Sequence, residues 1–493
     1  MAQGIKFVKK DTAKLYKESN TNKVVLELLW GDRVQLLSAT PVNGRYKVNA
    51  RWAKNAFINV SDVGEEALLE VYFIDVGQGD GVLIVTPDRK HLLIDGGYTR
   101  EMQPHGKSAA DFVDWKFHDE YGSDTIELDA MISSHCDADH YGGLWDLLDE
   151  TKKEELDCKK ITVKKFYHAG VSWWTDGTKR FLGNKKNGAL IDLLTGKTSL
   201  TNGLKPSAPL RLQGQWAQFL GWVLKSKASI ERLAYNPQKD FNYLDGFEQD
   251  KEVAIKVLAP IEKTEGGKPT LKDLGSDSQN TNGNSLLLRV DYKKTRILLT
   301  GDLNQKSQQH IIQSFQGRTQ ELAADVTKAC HHGSDDCSLE FLQHVQAAAT
   351  IISSGDDETH AHPRPAIVAA SGVTGFRKVE NDQLVTPLVY STEISRSVRM
   401  GDPYKINSKG FVTPAGALDI EITEEKKVEI SYKHTSSGAL NPKNKMKTME
   451  KLKVVDGIVY GLVNVRTDGN KILCATMNEG KSDWDYRVFY SRF

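Results

Sequence analysis

Residues 135–140 read His-Cys-Asp-Ala-Asp-His, placing four metal-competent side chains in one short loop. The apolar stretch Leu128 to Ile132 runs into this loop, and Gly142-Gly143 follows it. Carboxylates that close repel one another, and burying them unpaired is costlier still. A solvated polar turn would avoid the conflict, and a bound cation would resolve it. The turn alone does not account for Gly301-Asp302 and His331-His332-Gly333, each of which ends a strand-like stretch far downstream. A metal site accounts for all three segments, and it demands a fold that brings them side by side.

At 493 residues the chain has room for about two or three domains, each with its own core. Formal net charge is zero, so no global field draws it to nucleic acid or to a membrane surface. No apolar run is long enough to span a bilayer, and Met1 to Lys10 lacks the apolar core of a secretory signal. Five scattered cysteines (Cys136, Cys158, Cys330, Cys337, Cys474) indicate reduced thiols and a cytoplasmic protein. Cys136 and Cys330 each adjoin a metal-competent residue and are expected to be packing thiols.

Residues 1–66 read as a small all-β unit. Short β-rich pieces at Ala13 to Tyr16, Val24 to Leu29, Arg33 to Leu37, Tyr46 to Val48 and Ala56 to Val60 are separated by turns such as Gly31-Asp32 and Asn43-Gly44. From Leu69 a new pattern begins. Val71 to Val76, Val82 to Val85 and Leu92 to Ile94 read as antiparallel strands joined by glycine turns. Gly77-Gln78-Gly79-Asp80-Gly81 is read as a structural turn, since it lacks the lysine and helix of a nucleotide-phosphate loop. Residues 171–250 follow no strand repeat and are taken as an inserted cap. Their tryptophans (Trp173, Trp174, Trp216, Trp222) serve either as the cap's own core or as platforms for a base. Strands return at Ala254 to Leu258, Ser285 to Asp291 and Arg296 to Thr300, and residues 416–493 are assigned to a β-rich C-terminal extension with a hairpin across Thr467 to Asn470.

Five stretches in this order resemble the metallo-β-lactamase-fold hydrolases. They are Phe73 to Asp80, Leu93 to Gly97, Ser134 to Gly143, Asn284 to Leu286 with Leu299 to Leu303, and His331 to Ser334 with His360 to Pro363. Within that family the likeness is to the branch holding the soluble nuclease-like domain of the competence DNA-uptake channel. The N-terminal unit resembles a bacterial SH3-like domain. The resemblance implies an α+β chain. A metallo-β-lactamase αββα sandwich spans residues 67–415 and carries the inserted cap. The small all-β SH3-like domain precedes it. Where the family usually has His, this chain has Asp137, as that branch does.

The same resemblance distributes the ligands of two divalent metal ions. His135 and Asp137 would hold one, Asp139, His140 and His332 the other, and Asp302 would bridge them. The first ion is left a ligand short, with His168, water or Asn284 as candidates. Asp95 would orient the metal loop by hydrogen bonds. Two such ions about 3.5–4 Å apart acidify a bound water, so the expected nucleophile is a metal-bound hydroxide. Asp139, His331 and His362 are the candidate catalytic groups, the histidines by protonating a leaving group or holding a phosphate oxygen. Asn284, His360 and Thr392 are candidate substrate contacts. A carboxylate at Asp137 hardens the site and favours manganese or magnesium beside zinc.

The resemblance points to phosphodiester cleavage, with nucleic acid the leading substrate. Paired lysines from Lys152 to Lys186, and a second group from Lys443 to Lys453, add local positive charge, although acidic residues interleave the first group. Hydrolysis of a small phosphodiester, cyclic nucleotide or lactone is the competing enzymatic reading. A metal-stabilised interaction protein, recruiting a protein partner through the SH3-like unit, is the non-catalytic one.

Overall fold

The computed structural model describes residues 4–103, 106–355, 362–392, 462–478 and 483–493, together with strand backbone between 397 and 459. These residues form two units. The smaller, residues 397–459 with 479–481, contains three antiparallel two-stranded pairs: Ser397–Gly401 with Val454–Val459, Ile406–Thr413 with Gly416–Ile420, and Val428–Tyr432 with Lys445–Met449.

The larger unit opens with a seven-stranded all-β sheet built from Ile5–Val8, Thr12–Tyr16, Val24–Leu29, Arg33–Leu36, Arg45–Ala50, Ala53–Asn59 and Val63–Gly64. Alternate residues along these strands, including Leu15, Leu26, Val34, Val48 and Ile58, fill its core. The strand pieces read from sequence lie where expected, with ends shifted by a few residues.

Two further sheets pack face to face. The first has nine strands, among them Leu69–Phe73, Val82–Val85, His91–Ile94, Thr125–Ser133 and Lys160–His168. The second has seven, among them Val253–Ala259, Leu287–Tyr292, Thr295–Leu299, Val326–Lys328 and Ala349–Ile352. Period-two alternation sorts their side chains. Val71, Phe73, Ile84, Leu92 and Ile94 meet Leu288, Val290, Ile297 and Leu299 in a core between the sheets. Intervening residues such as Leu83, Val85 and Leu93 face the helices on the outside of the first sheet, and Leu287 and Leu298 face those outside the second. The result is the expected αββα sandwich.

Two boundaries differ from those read in sequence. Residues 463–490 are not part of a separate extension: Val463–Thr467, Lys471–Asn478 and Asp483–Tyr490 complete the first sheet, Val463–Thr467 pairing antiparallel with Leu69–Phe73. Leu69–Phe73 is buried along its whole length and needs a neighbour on that side. The segment 171–250 is also more integrated than a detached cap. Its helix Gly214–Lys225 packs on helix Ala138–Leu148, with Trp216 and Phe219 against Tyr141, and its strand Ser229–Arg232 extends the first sheet. Trp174 and Trp216 are buried there as core. Among the described residues no helix is long and apolar enough to cross a membrane.

Candidate metal centre

His91–Ile94 and Thr125–Ser133 run parallel, as do Thr295–Leu299, Val326–Lys328 and Ala349–Ile352. The loops that follow parallel strands leave a sheet at the same end. Asp95, His135 to Asp137, Gly301-Asp302 and His331-His332 therefore converge on one edge of the sandwich. Asp137 is the N-cap of helix Ala138–Leu148, whose first turn carries Asp139 and His140. His331 and His332 both sit in the left-handed region, at φ 47° and 52°, which turns two successive imidazoles sharply out of the strand direction.

The loops interlock at close range. A Cβ on Gly79, at φ +116°, would strike the carbonyl oxygen of Asp139, so the Gly77–Gly81 loop lies directly beneath the metal loop. Gly96 approaches Gly143 as closely, and Gly96 N donates to the His140 carbonyl at 2.7 Å.

At the centre, Asp80, His140, Asp302 and His332 are all buried, with ligand atoms within 4.8 Å of one another. His140 Nε2 and His332 Nε2 lie 3.2 and 3.0 Å from Asp302 Oδ2. Asp139 flanks them, its Oδ2 3.6 Å from His332 Nε2 and accepting from Gln78 Nε2 at 3.3 Å. His135 stacks 4.0 Å from His140 between ring centroids, and its Nε2 is 3.6 Å from Asp137 Oδ2. The far nitrogens are tied back: His140 Nδ1 to Asp95 Oδ2 at 2.9 Å, His135 Nδ1 to Ser134 Oγ at 3.0 Å, and His332 Nδ1 to Asp80 Oδ1 at 3.1 Å and the Ser353 carbonyl at 3.2 Å. Each ring thus turns Nε2 inward.

The donor set fits divalent cations. Nε2 of His135, His140 and His332 and Oδ1 of Asp302 are buried without a well-aligned hydrogen bond, an expensive arrangement unless an ion completes it. The electrostatics agree. Burial opposes a proton on His332, yet Asp302 and Asp80 outweigh it and raise the imidazole to about 10. His140 is likewise raised, against burial, by Asp302, Asp95 and Asp139. Burial, with the charge of Asp139, lifts Asp137 to about 6. Burial also pushes His135 down to about 4. Positive charge is wanted around Asp302, where His140 and His332 supply it by holding protons, while His135 stays neutral.

Other sequence candidates lie at different distances from this centre. His331 borders it, Nε2 3.9 Å from Asp302 Oδ2 and 3.3 Å from Asn282 Nδ2, and the His362 ring stands 5.6 Å from the His331 ring. His168 is not brought in. It ends a strand beside Ser133, stacks on Phe166, and the charge that acts on it is that of Arg232. Asn284 is also turned away, because it caps helix Asp277–Gly283 and its amide donates to the carbonyls of Asn280 and Lys272. Thr392 is fully buried and bonds Ser354, bracing the loop behind His332 instead of facing a substrate. His360 falls outside the described residues.

Asp80, Lys328, Thr281 and Asn282 belong to this neighbourhood but carry no site role in the sequence reading. Thr281 Oγ1 donates to Asp137 Oδ2 at 2.8 Å. Asp80 belongs to the glycine run that reads as a plain turn. Lys328 is a charged residue in the strand-like stretch Asp325 to Cys330, and a lysine in a buried strand is the signal that could have found it.

Comparison with known proteins agrees with the geometry. The family model described as Metallo-beta-lactamase superfamily matches residues 74–213. The chain carries a domain of the metallo-β-lactamase superfamily. It is similar to ComE operon protein 3 of Bacillus subtilis (strain 168), 26% identical over 324 residues, which cover 64% of this chain and 32% of that protein. Competence protein ComA of Neisseria gonorrhoeae is 30% identical over 102 residues, 20% of this chain and 14% of that one. The chain thus spans about a third or less of either relative's length. A solved metallo-β-lactamase from Cronobacter sakazakii, a HARLDQ motif mutant, is 12% identical over 53% of this chain and 77% of its own, with a TM-score of 0.24.

Proposed function

We propose that the chain is a dinuclear metal-dependent phosphodiesterase acting on nucleic acid. The observation that carries this reading is the convergence of His140 Nε2 and His332 Nε2 on the Asp302 carboxylate, with His135 Nε2 facing Asp137 and Asp139 beside them, none of the three nitrogens in a well-aligned hydrogen bond. His135 and Asp137 would hold one ion, Asp139, His140 and His332 the other, with Asp302 shared. Bound there, two divalent cations supply an acidified water and neutralise charge on a phosphoryl group. The protein's own part is orientation. Asp95, Ser134 and Asp80 fix the imidazoles, and Thr281 holds Asp137. Burial keeps His331 below its ordinary range, so it can take up a proton or donate a hydrogen bond to a phosphate oxygen at the rim, with His362 behind it. Similarity to two competence proteins supports nucleic acid as the substrate class, and the N-terminal all-β unit, on its SH3-like resemblance, would dock a protein partner.

One observation favours a second reading, a small phosphodiester. In the lysine-rich stretch, Lys152, Lys164, Lys165 and Lys185 are paired with Glu101, Asp129, Asp245 and Asp273, which neutralises a face expected to attract a polynucleotide. The side chains from Lys443 to Lys453 lie outside the described residues.

The test is hydrolysis of single-stranded DNA, RNA and bis(p-nitrophenyl) phosphate with manganese, magnesium or zinc, before and after chelation, and in Asp302→Ala. Metal-dependent cleavage of the polymers, reduced on the order of a thousand-fold by Asp302→Ala, is expected. Cleavage of the small ester alone would favour the second reading. Full turnover after chelation, or in Asp302→Ala, would overturn both.

A further inference from the structure

At the base of the centre lies a pair of opposite charges to which the ligand assignment above gives no ion. Lys328 and Asp80 are each 2% exposed in their side chains, with Nζ 2.5 Å from Asp80 Oδ2. An isolated ammonium at that depth would be prohibitive, yet this one is compensated by the carboxylate's charge and by two hydrogen bonds. Besides Asp80, Nζ donates to the carbonyls of Gly301 at 3.0 Å and Ala329 at 2.9 Å.

Those partners belong to three separate loops. Gly301 immediately precedes Asp302, Ala329 leads into His331-His332, and Asp80 sits in the loop whose Gly79 packs under Asp139. Asp80 reaches upward as well, with Oδ1 3.1 Å from His332 Nδ1 and Oδ2 3.9 Å from His140 Nδ1. Ser353 braces the same place, its hydroxyl donating to the Gly79 carbonyl at 3.1 Å while its own carbonyl shares the His332 Nδ1 proton.

We propose that Lys328 and Asp80 act together as positioning residues for the second metal position, the ammonium tying the loops of Asp80, Asp302 and His332 to one point while the carboxylate turns His332 Nε2 inward. This rests on the two-metal reading above. It assigns the couple mainly to one position. His135 and Asp137 are held by Ser134 and Thr281 and make none of these contacts. The pair therefore acts chiefly on the second ion and reaches the first only through the shared Asp302. Groups that orient a metal-ligating imidazole contribute about 10–100-fold in affinity.

The experiment is manganese titration of the full chain by calorimetry, with bound metal counted by elemental analysis, for the unaltered protein, Lys328→Met and the double variant D80N/K328M. The single variant leaves a buried carboxylate without its cation and can fail to fold. The double variant removes both charges at nearly constant shape and keeps the test decisive. The expected result is two equivalents in the unaltered protein, and in the variants a first equivalent changed far less than the second, which is weakened about 10–100-fold. Equal weakening of both equivalents would show a merely structural role and overturn the proposal, as would two undiminished equivalents in the double variant. Failure of the unaltered protein to bind any divalent ion would instead overturn the two-metal reading itself.

Discussion

Arg466 Nη2 lies 2.9 Å from Asp32 Oδ1, joining the C-terminal strand Val463–Thr467 to the N-terminal all-β sheet through two buried side chains. The guanidinium also donates to the Trp30 carbonyl at 3.2 Å and the Tyr72 hydroxyl at 3.1 Å, and Glu70 stands 3.6 Å away. Around it Leu29, Trp30 and Leu68 pack with Leu473, Ala475 and Trp484.

Removing the cation alone strands two buried carboxylates. Arg466→Met is therefore expected to destabilise the larger unit by about 3–5 kcal/mol, read as a shift in the urea midpoint. Metal stoichiometry of the folded fraction should not change, because none of these groups touches the centre.

Acid should unfold the protein in two stages. Burial, reinforced by Arg89, pushes His91 down to about 3, so the fold holds it neutral. Its contribution is complete above pH 6.5 and drains away as pH falls toward 3. Burial works against ionised Glu70, but Arg466, Lys116 and Arg89 outweigh it and hold the group at about 2. Its contribution, roughly 3 kcal/mol, is complete above pH 4.5 and is lost as pH falls through 2. Denaturation midpoints at pH 7.5, 5.5 and 4 should fall stepwise, and His91→Phe should flatten the limb between pH 6.5 and 4.5.

Asp137→His restores the residue usual in the family. An imidazole there softens the donor set and removes one negative charge, so relative affinity should move from manganese toward zinc, by about tenfold or more. Competition titrations of the two ions measure it. An unchanged ratio would show that the carboxylate does not set the preference.

Metal uptake should release protons. Asp302 and Asp80 hold His332 at about 10 against burial, and a cation arriving at Nε2 must displace that proton. Calorimetry at pH 7 in buffers of different ionisation enthalpy should show at least about one proton released on loading, with affinity rising as pH rises.

Much of this architecture is legible in the chain. The strands of the first sheet announce themselves by period-two apolar runs such as Val82 to Val85 and Leu92 to Ile94, closed by Asp95-Gly96-Gly97. The metal loop is equally plain, since six residues with that density of ligands have few other uses. What sequence hides is mutual position. His168 ends a strand, as a third ligand would, yet its ring turns to Phe166, which depends on register with the neighbouring strand. Asp80 reads as a turn residue because its partners, Lys328 and His332, are far away in the chain. Residues 463–490 read as an appendage because an edge strand advertises its own pattern and not the identity of its neighbour.

That edge pairing bears on how the chain matures. Arg466 and Tyr72 meet across a sequence separation of 394 residues, so the first sheet gains three of its strands only after the whole of the sandwich between them has been made. Until then Leu69–Phe73, the opening strand of the sandwich, presents an unpaired edge whose Leu69, Val71 and Phe73 belong in the core. A ribosome stalled anywhere in between leaves that edge of the half-sheet exposed, which makes docking of the Val463–Thr467 and Lys471–Asn478 hairpin the step that covers an aggregation-prone border.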